Sequence, residues 1–138
     1  IRDRAYKAVL EVQPENLVAL NNAAWVSHEL GEPDALLFAQ RAIDVGPDNA
    51  AVLDTLGWIL LAQGHENRAI EILSRAAELA PGAPNVRYHL AKALVAGGQS
   101  ARAREMLAAL LVEERDFDER ADAQRLFEST QVEVGLDP

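Results

Sequence analysis

Three histidines and 22 carboxylates are the titratable groups with chemistry to offer near neutral pH in this 138-residue chain. Their spacing organises no reaction. His28, His65 and His89 are too far apart for an H-E-x-x-H zinc motif, and there is no cysteine to complete a metal site or act as a thiol nucleophile. His65 follows Gly64 at an expected turn, where an imidazole is solvated. No stretch alternates with period two for long enough to be a strand, so no glycine-rich phosphate loop follows one. The expectation is a non-enzyme without cofactor or metal.

A different set of residues recurs at helical spacing. Asn21, Trp25 and His28 are followed by Asp54, Trp58 and Leu61, then by Tyr88, Lys92 and Val95, each set at i, i+4 and i+7. Asn22, Thr55 and His89 flank them. The chemistry such a stripe offers is recognition. Asparagine amides pair with the backbone of an extended peptide, and Trp and Tyr supply large anchors with few rotatable bonds. The candidate peptide-binding residues are therefore Asn21, Asn22, Trp25, His28, Asp54, Thr55, Trp58, Tyr88, His89 and Lys92, with a protein or peptide segment as partner. Structural roles stay open beside this one. Trp25 and Trp58 are 33 residues apart and suit a wedge between adjacent units, Asn21 and Asn22 suit a solvated face, and Tyr88 and His89 suit packing against the final helices.

The elements that carry this stripe repeat. Ala35, Ala69 and Ala103 are 34 residues apart, as are Pro47 and Pro81. Ala24, Gly57 and Ala91 are separated by 33 and then 34, and so are Gly31, Gly64 and Gly98. One residue is thus missing between Gly31 and Ala35. Self-similarity at this period marks a stack of units, none of which can bury its apolar face alone. Helices are predicted over 1–13, 16–30, 33–45, 50–63, 66–79, 84–96 and 100–113. Pro33 is placed in the first turn of its helix, and Asp48 or Asn49 caps the helix that follows. The core stripe reads 20, 23, 24, 27, then 53, 56, 57, 60, then 87, 90, 91, 94. Asp116 and Glu119 have capping-box spacing before a last helix, with Phe117, Ala121, Gln124 and Phe127 on its inner stripe and fraying after Ser129.

Composition narrows the partners. Hydrophobic residues make up 49%, which excludes disorder, and a net charge of −9 gives no general attraction for nucleic acid or anionic lipid. No apolar run approaches the roughly 20 residues needed to span a bilayer, so no direct membrane insertion by this segment is expected. Nine of the 22 acidic residues follow position 112; they read as a solvated cap, with a patch for a basic partner as the sharper alternative. The chain opens at Ile1 inside a helical pattern and reads as a piece of a longer protein. Tyr6, Val9 and Leu10 would then lie on an uncovered edge suited to homo-oligomer formation.

These residues resemble the tetratricopeptide repeat. The cleanest copy is 50–83, with Leu53, Leu56-Gly57, Leu60, Gly64, Ala69, Leu73, Ala76 and Pro81. Copy 16–49 matches through Leu20, Ala23-Ala24, Gly31, Ala35, Ala42 and Pro47, and copy 84–115 through Leu90-Ala91, Leu94, Gly98, Ala103 and Leu107, with a degenerate end. Segment 1–15 looks like the second helix of a truncated repeat, 116–130 like a capping helix, and 131–138 like a tail. The resemblance implies an all-α, right-handed superhelical solenoid of antiparallel helix pairs. It places the Asn/Trp/Tyr stripe in a concave groove and implies a non-catalytic scaffold. Positions that form a carboxylate clamp in chaperone-binding members carry Asn21, Trp25, Thr55, Asn85 and His89 here, and only Lys92 adds a fixed positive charge nearby, so no such clamp is expected. A self-association module, or a regulatory segment of a larger enzyme, are the alternatives.

The strings 19–25 (Ala-Leu-Asn-Asn-Ala-Ala-Trp) and 52–58 (Val-Leu-Asp-Thr-Leu-Gly-Trp), the deletion at Pro33, 87–90 (Arg-Tyr-His-Leu) and the tail from Phe117 to Leu126 are also similar to the C-terminal repeats of bacterial lipoproteins of the PEP-CTERM/exosortase system. That narrower resemblance implies a role in surface export or exopolysaccharide assembly, in the periplasm or anchored to the outer membrane; without it the expected compartment is the cytoplasm.

Overall fold

The computed structural model describes residues 2–133. Eight helices follow one another: α1 (Arg2–Val12), α2 (Leu17–Glu29), α3 (Ala35–Val45), α4 (Ala50–Ala62), α5 (Glu66–Leu79), α6 (Pro84–Ala96), α7 (Ser100–Glu113) and α8 (Arg120–Glu133). There is no strand among the described residues. Each helix packs on the next. The even-numbered helices also touch one another, α2 on α4, α4 on α6 and α6 on α8, and the odd-numbered ones do not. The result is a two-layer stack, with α2, α4, α6 and α8 forming the closely packed inner layer. One face of the first three carries the recurrent polar and aromatic stripe.

Local chemistry sets the helix ends. The side chains of Asn16 and Asn49 accept from Ala19 N at 2.9 Å and Val52 N at 3.1 Å, satisfying a free amide at the start of α2 and α4; Asn49, not Asp48, is the cap. Gly31, Gly64 and Gly98 have φ of 71°, 84° and 82°. Each allows the amide that follows it to bond back to the carbonyl five residues earlier: Glu32 N to Ser27 O, His65 N to Leu60 O, Gln99 N to Leu94 O. The same turn thus closes α2, α4 and α6.

The 33-residue step has a structural consequence. Helix α3 has 11 residues, whereas α5 and α7 have 14 each. Ala35 opens α3, while its equivalent Ala69 lies three residues inside α5. The deletion removes the first turn of the helix. Pro33 accordingly lies before α3, not in its first turn as expected, and Asp34 takes the N-cap position.

Small residues set the packing. Ala23, Ala24, Ala69, Ala76, Ala91 and Ala103 are fully buried. A Cβ built on Gly57 would overlap the Leu73 side chain, so α4 and α5 touch through a glycine. The expected core stripe is closed except at Arg87, which reaches the surface and pairs with Glu113 at 2.6 Å.

Two expectations about the ends are corrected. In α8 the buried stripe is Ala123 and Thr130 with Leu126 and Phe127 packed beside them, while Ala121 and Gln124 are exposed. The helix continues past Ser129 to Glu133, because Thr130 is fully buried and its hydroxyl donates to Phe127 O at 2.5 Å. At the other end, Leu10 is buried in the common core and Tyr6 packs against that core. Val9 and Val12 remain exposed on α1.

Candidate functional site

Helices α2, α4 and α6 present equivalent positions on the inner layer, but burial divides the stripe. Asp54, Thr55, Tyr88 and His89 are buried, Asn21, Asn22, Trp25, His28 and Trp58 are half-buried, and Lys92 is exposed. The buried members are held by short-range chemistry. Thr55 donates to Ala51 O one turn back, at 3.1 Å. His89 is 3% exposed, with Nδ1 2.7 Å from Asp54 Oδ1 and Nε2 2.8 Å from Glu119 Oε2. Asn85 Nδ2 donates to the other Asp54 oxygen at 3.4 Å.

Both ring nitrogens of His89 face carboxylate oxygens, so both serve as donors and the ring is an imidazolium. Burial alone pushes its pKa down. The hydrogen bonds to Asp54 and Glu119, and their charges, outweigh that and raise it to about 9. The imidazole is therefore no general base. Tyr88 lies beside it; burial, with the Asp122 and Glu119 charges adding, pushes its phenol up to about 12 and leaves it neutral.

The two tryptophans are not equivalent. The Trp58 ring lies 4.1 Å from the His89 ring and 6.3 Å from that of Tyr88, centroid to centroid, with Lys92 Nζ 5.3 Å from its centre. It joins α4 to α6 as a wedge between units. Trp25 has His28 of its own helix 6.2 Å away and faces an open cleft.

The expected residues gather into two hollows. A cleft of about 460 Å³ is lined by Asn21, Asn22, Trp25, Asp54, Thr55 and His89, joined by Ala51, Asn85, Asp118 and Glu119. A more apolar hollow of about 320 Å³ is lined by His28, Trp58 and Lys92 with Leu61, Ala62 and Ala96. Tyr88 lines neither, being covered from solvent.

Asp118 and Glu119 were absent from the residues expected to line the stripe, since spacing assigned Glu119 to a capping box. The structure starts α8 at Arg120 and puts Glu119 at its N-cap, where its carbonyl accepts from Ala123 N. Its carboxylate turns away to His89, so no capping box with Asp116 forms. Among the described residues no three His, Asp or Glu side chains are arranged to hold a metal ion, and no helix is long and apolar enough to cross a membrane.

Residues 60–127 match the tetratricopeptide repeat family model. No curated protein matches the chain in sequence. Solved structures match its fold. MamA superposes with a TM-score of 0.81 at 23% identity, covering 97% of this chain and 77% of MamA. YrrB, a tetratricopeptide protein with an unusual peptide-binding site, gives 0.78 at 20% identity, covering 95% and 66%. SycD, the type III secretion translocator chaperone of Yersinia enterocolitica, gives 0.75 at 21% identity, covering 87% and 95%. At these identities the superpositions speak to fold, the same α-solenoid in each case, and the family match points to a protein-interaction scaffold and away from an enzyme. Residues 60–127 thus carry the tetratricopeptide repeat, and the two-layer helical stack of the described residues has the fold of tetratricopeptide-repeat proteins.

Proposed function

We propose that the inner face of α2, α4 and α6 is a groove that binds an extended segment of a partner protein without catalysing a reaction. The observation that carries this reading is the cleft lined jointly by Asn21, Asn22, Trp25, Asp54, Thr55 and His89, in which amides and an aromatic face line one surface across three successive units. Backbone groups of an extended chain are the natural complement of the amides, and Trp25 offers a flat anchor. Trp58 supports the groove more than it contacts the guest. The repeats that form it are 16–49, 50–83 and 84–115, with 116–130 closing the stack.

Single Trp25→Ala and Trp58→Ala variants test this, with affinity for a selected 12-residue peptide measured beside the thermal midpoint. Trp25→Ala should weaken binding at least tenfold with little loss of stability, and Trp58→Ala should lower the thermal midpoint. Unchanged affinity in Trp25→Ala overturns the groove assignment.

The strings at 19–25 and 52–58, the deletion at Pro33 and the tail from Phe117 support a finer reading, a place in bacterial surface export or exopolysaccharide assembly beside an exosortase. Deleting the gene and measuring secreted polysaccharide and surface-anchored protein tests it; unchanged levels of both overturn it. Self-association is the second reading, favoured by Val9 and Val12, which are 40% and 81% exposed on α1. Light scattering of the chain with and without Val12→Lys distinguishes the two, since a monomer in both cases excludes pairing through this edge.

A further inference from the structure

We infer that the cleft between α2, α4 and the α7–α8 connection selects a segment carrying a lysine or arginine, whose cationic head meets Asp118 and Glu119 while its aliphatic stem lies on Trp25. The inference rests on the groove reading above and names the chemistry of its guest.

Charge is the first support. The cleft holds three carboxylates, Asp54, Asp118 and Glu119, and the one imidazolium of His89, and no lysine or arginine lines it. The surplus is two negative charges. Asp54 and Glu119 each spend oxygens on His89, whereas Asp118 is exposed and makes no hydrogen bond or ion pair with the described residues. Of the nearby arginines, Arg87 pairs with Glu113, Arg125 with Asp122 and Arg120 with the carbonyls of Leu111 and Glu114, while Arg115 lines a neighbouring hollow with Asp118 and Asp116 and pairs with neither.

An orphan acceptor is the second support, independent of charge. Asn21 Oδ1 is buried and has no hydrogen-bond partner, although its residue lines the cleft. A buried carbonyl oxygen left unpaired costs on the order of 1–3 kcal/mol. What is unsatisfied here is thus an amide oxygen and a carboxylate, both acceptors, beside an indole face that attracts cations. A guest that fits is rich in N–H donors and positively charged. An acidic C-terminus fails on both counts, and Lys92 cannot rescue it, because its ammonium sits over Trp58 in the other hollow.

The test uses the 138-residue chain and a random 12-residue phage-displayed library, followed by titration of the best peptide as an N-acetylated, C-amidated synthetic probe. Lysine or arginine should be enriched at one fixed position. Replacing that residue by methionine should weaken binding about tenfold, and raising the salt should weaken the basic peptide more than its methionine analogue. Asp118→Asn should weaken the basic peptide several-fold and leave the methionine analogue unchanged, a selectivity that misfolding does not produce. Asp118 is exposed and has no hydrogen bond or ion pair with the described residues to lose, so the variant is expected to keep the parent thermal midpoint.

Enrichment of peptides with no basic position, still competing with one another and still weakened by Trp25→Ala, overturns this inference and leaves the groove reading standing. Failure of any peptide to depend on Trp25 overturns both.

Discussion

His89 Nδ1 lies 2.7 Å from Asp54 Oδ1, a contact between side chains 35 residues apart on neighbouring inner helices, and the opposite ring nitrogen meets Glu119 at the start of α8. One imidazolium therefore ties three elements of the inner layer together. Buried ion pairs of this kind stabilise only when each partner's hydrogen-bonding capacity is met. Here Asn85 satisfies the spare oxygen of Asp54, and the Trp58 ring covers one side of the imidazole.

The tie makes stability depend on alkaline pH. The folded-state pKa of His89, about 9, lies above the 6.5 of an unfolded histidine. Its contribution is complete below about 6.5 and is lost as the pH rises through about 9, with a full size on the order of 3 kcal/mol. The thermal midpoint of the wild type should fall between pH 6.5 and 9.5, and that of His89→Gln should fall far less. Parallel curves for the two proteins across this window would exclude the linkage.

The two carboxylates should not contribute equally. Asp54 is almost wholly buried, while the Glu119 side chain is 27% exposed and partly screened by water. Asp54→Asn should therefore lower the His89 pKa more than Glu119→Gln does. Both should move it toward the value of a solvated imidazole. An NMR titration of the His89 ring in the three proteins measures the order; equal pKa values in the wild type and Asp54→Asn would contradict the assignment of the 2.7 Å contact as the stronger one.

The residues that show why part of this was legible in sequence are the small ones. Ala24, Gly57 and Ala91, or Gly31, Gly64 and Gly98, repeat because one backbone geometry recurs in every unit, and a recurring local constraint writes itself as a period. The helices and the two-layer stack follow from it. The His89 tie has no such period. It depends on Glu119, which lies outside the repeats and reaches His89 only because the α7–α8 connection folds back over α6. A pattern shared by α2, α4 and α6 also hides their differences: Trp25 and Trp58 have the same register, yet only Trp58 has a histidine and a tyrosine from the next unit against it. Pro33 misleads for a related reason, since the missing residue shortens α3 and moves the proline out of the helix it was expected to open.

Gly57 and Leu73 give a prediction in which two effects oppose each other. Alanine in a helix interior is favoured over glycine by about 1 kcal/mol, so Gly57→Ala on an isolated α4 would stabilise it. In the folded chain the added methyl overlaps the Leu73 side chain, which is itself fully buried and cannot swing into solvent. Overpacking of this sort costs about 1–3 kcal/mol, enough to outweigh the helical gain, and Gly57→Ala should be net destabilising. Leu73→Ala alone should cost about 2–5 kcal/mol through the cavity it leaves. In the double variant the new methyl occupies part of that cavity, so the combined loss should be smaller than the sum of the single losses by on the order of 1 kcal/mol. Urea unfolding of the four proteins measures the coupling. Strict additivity, or a Gly57→Ala variant more stable than the parent, would show that α4 and α5 can move apart at this contact and that glycine is not required for their approach.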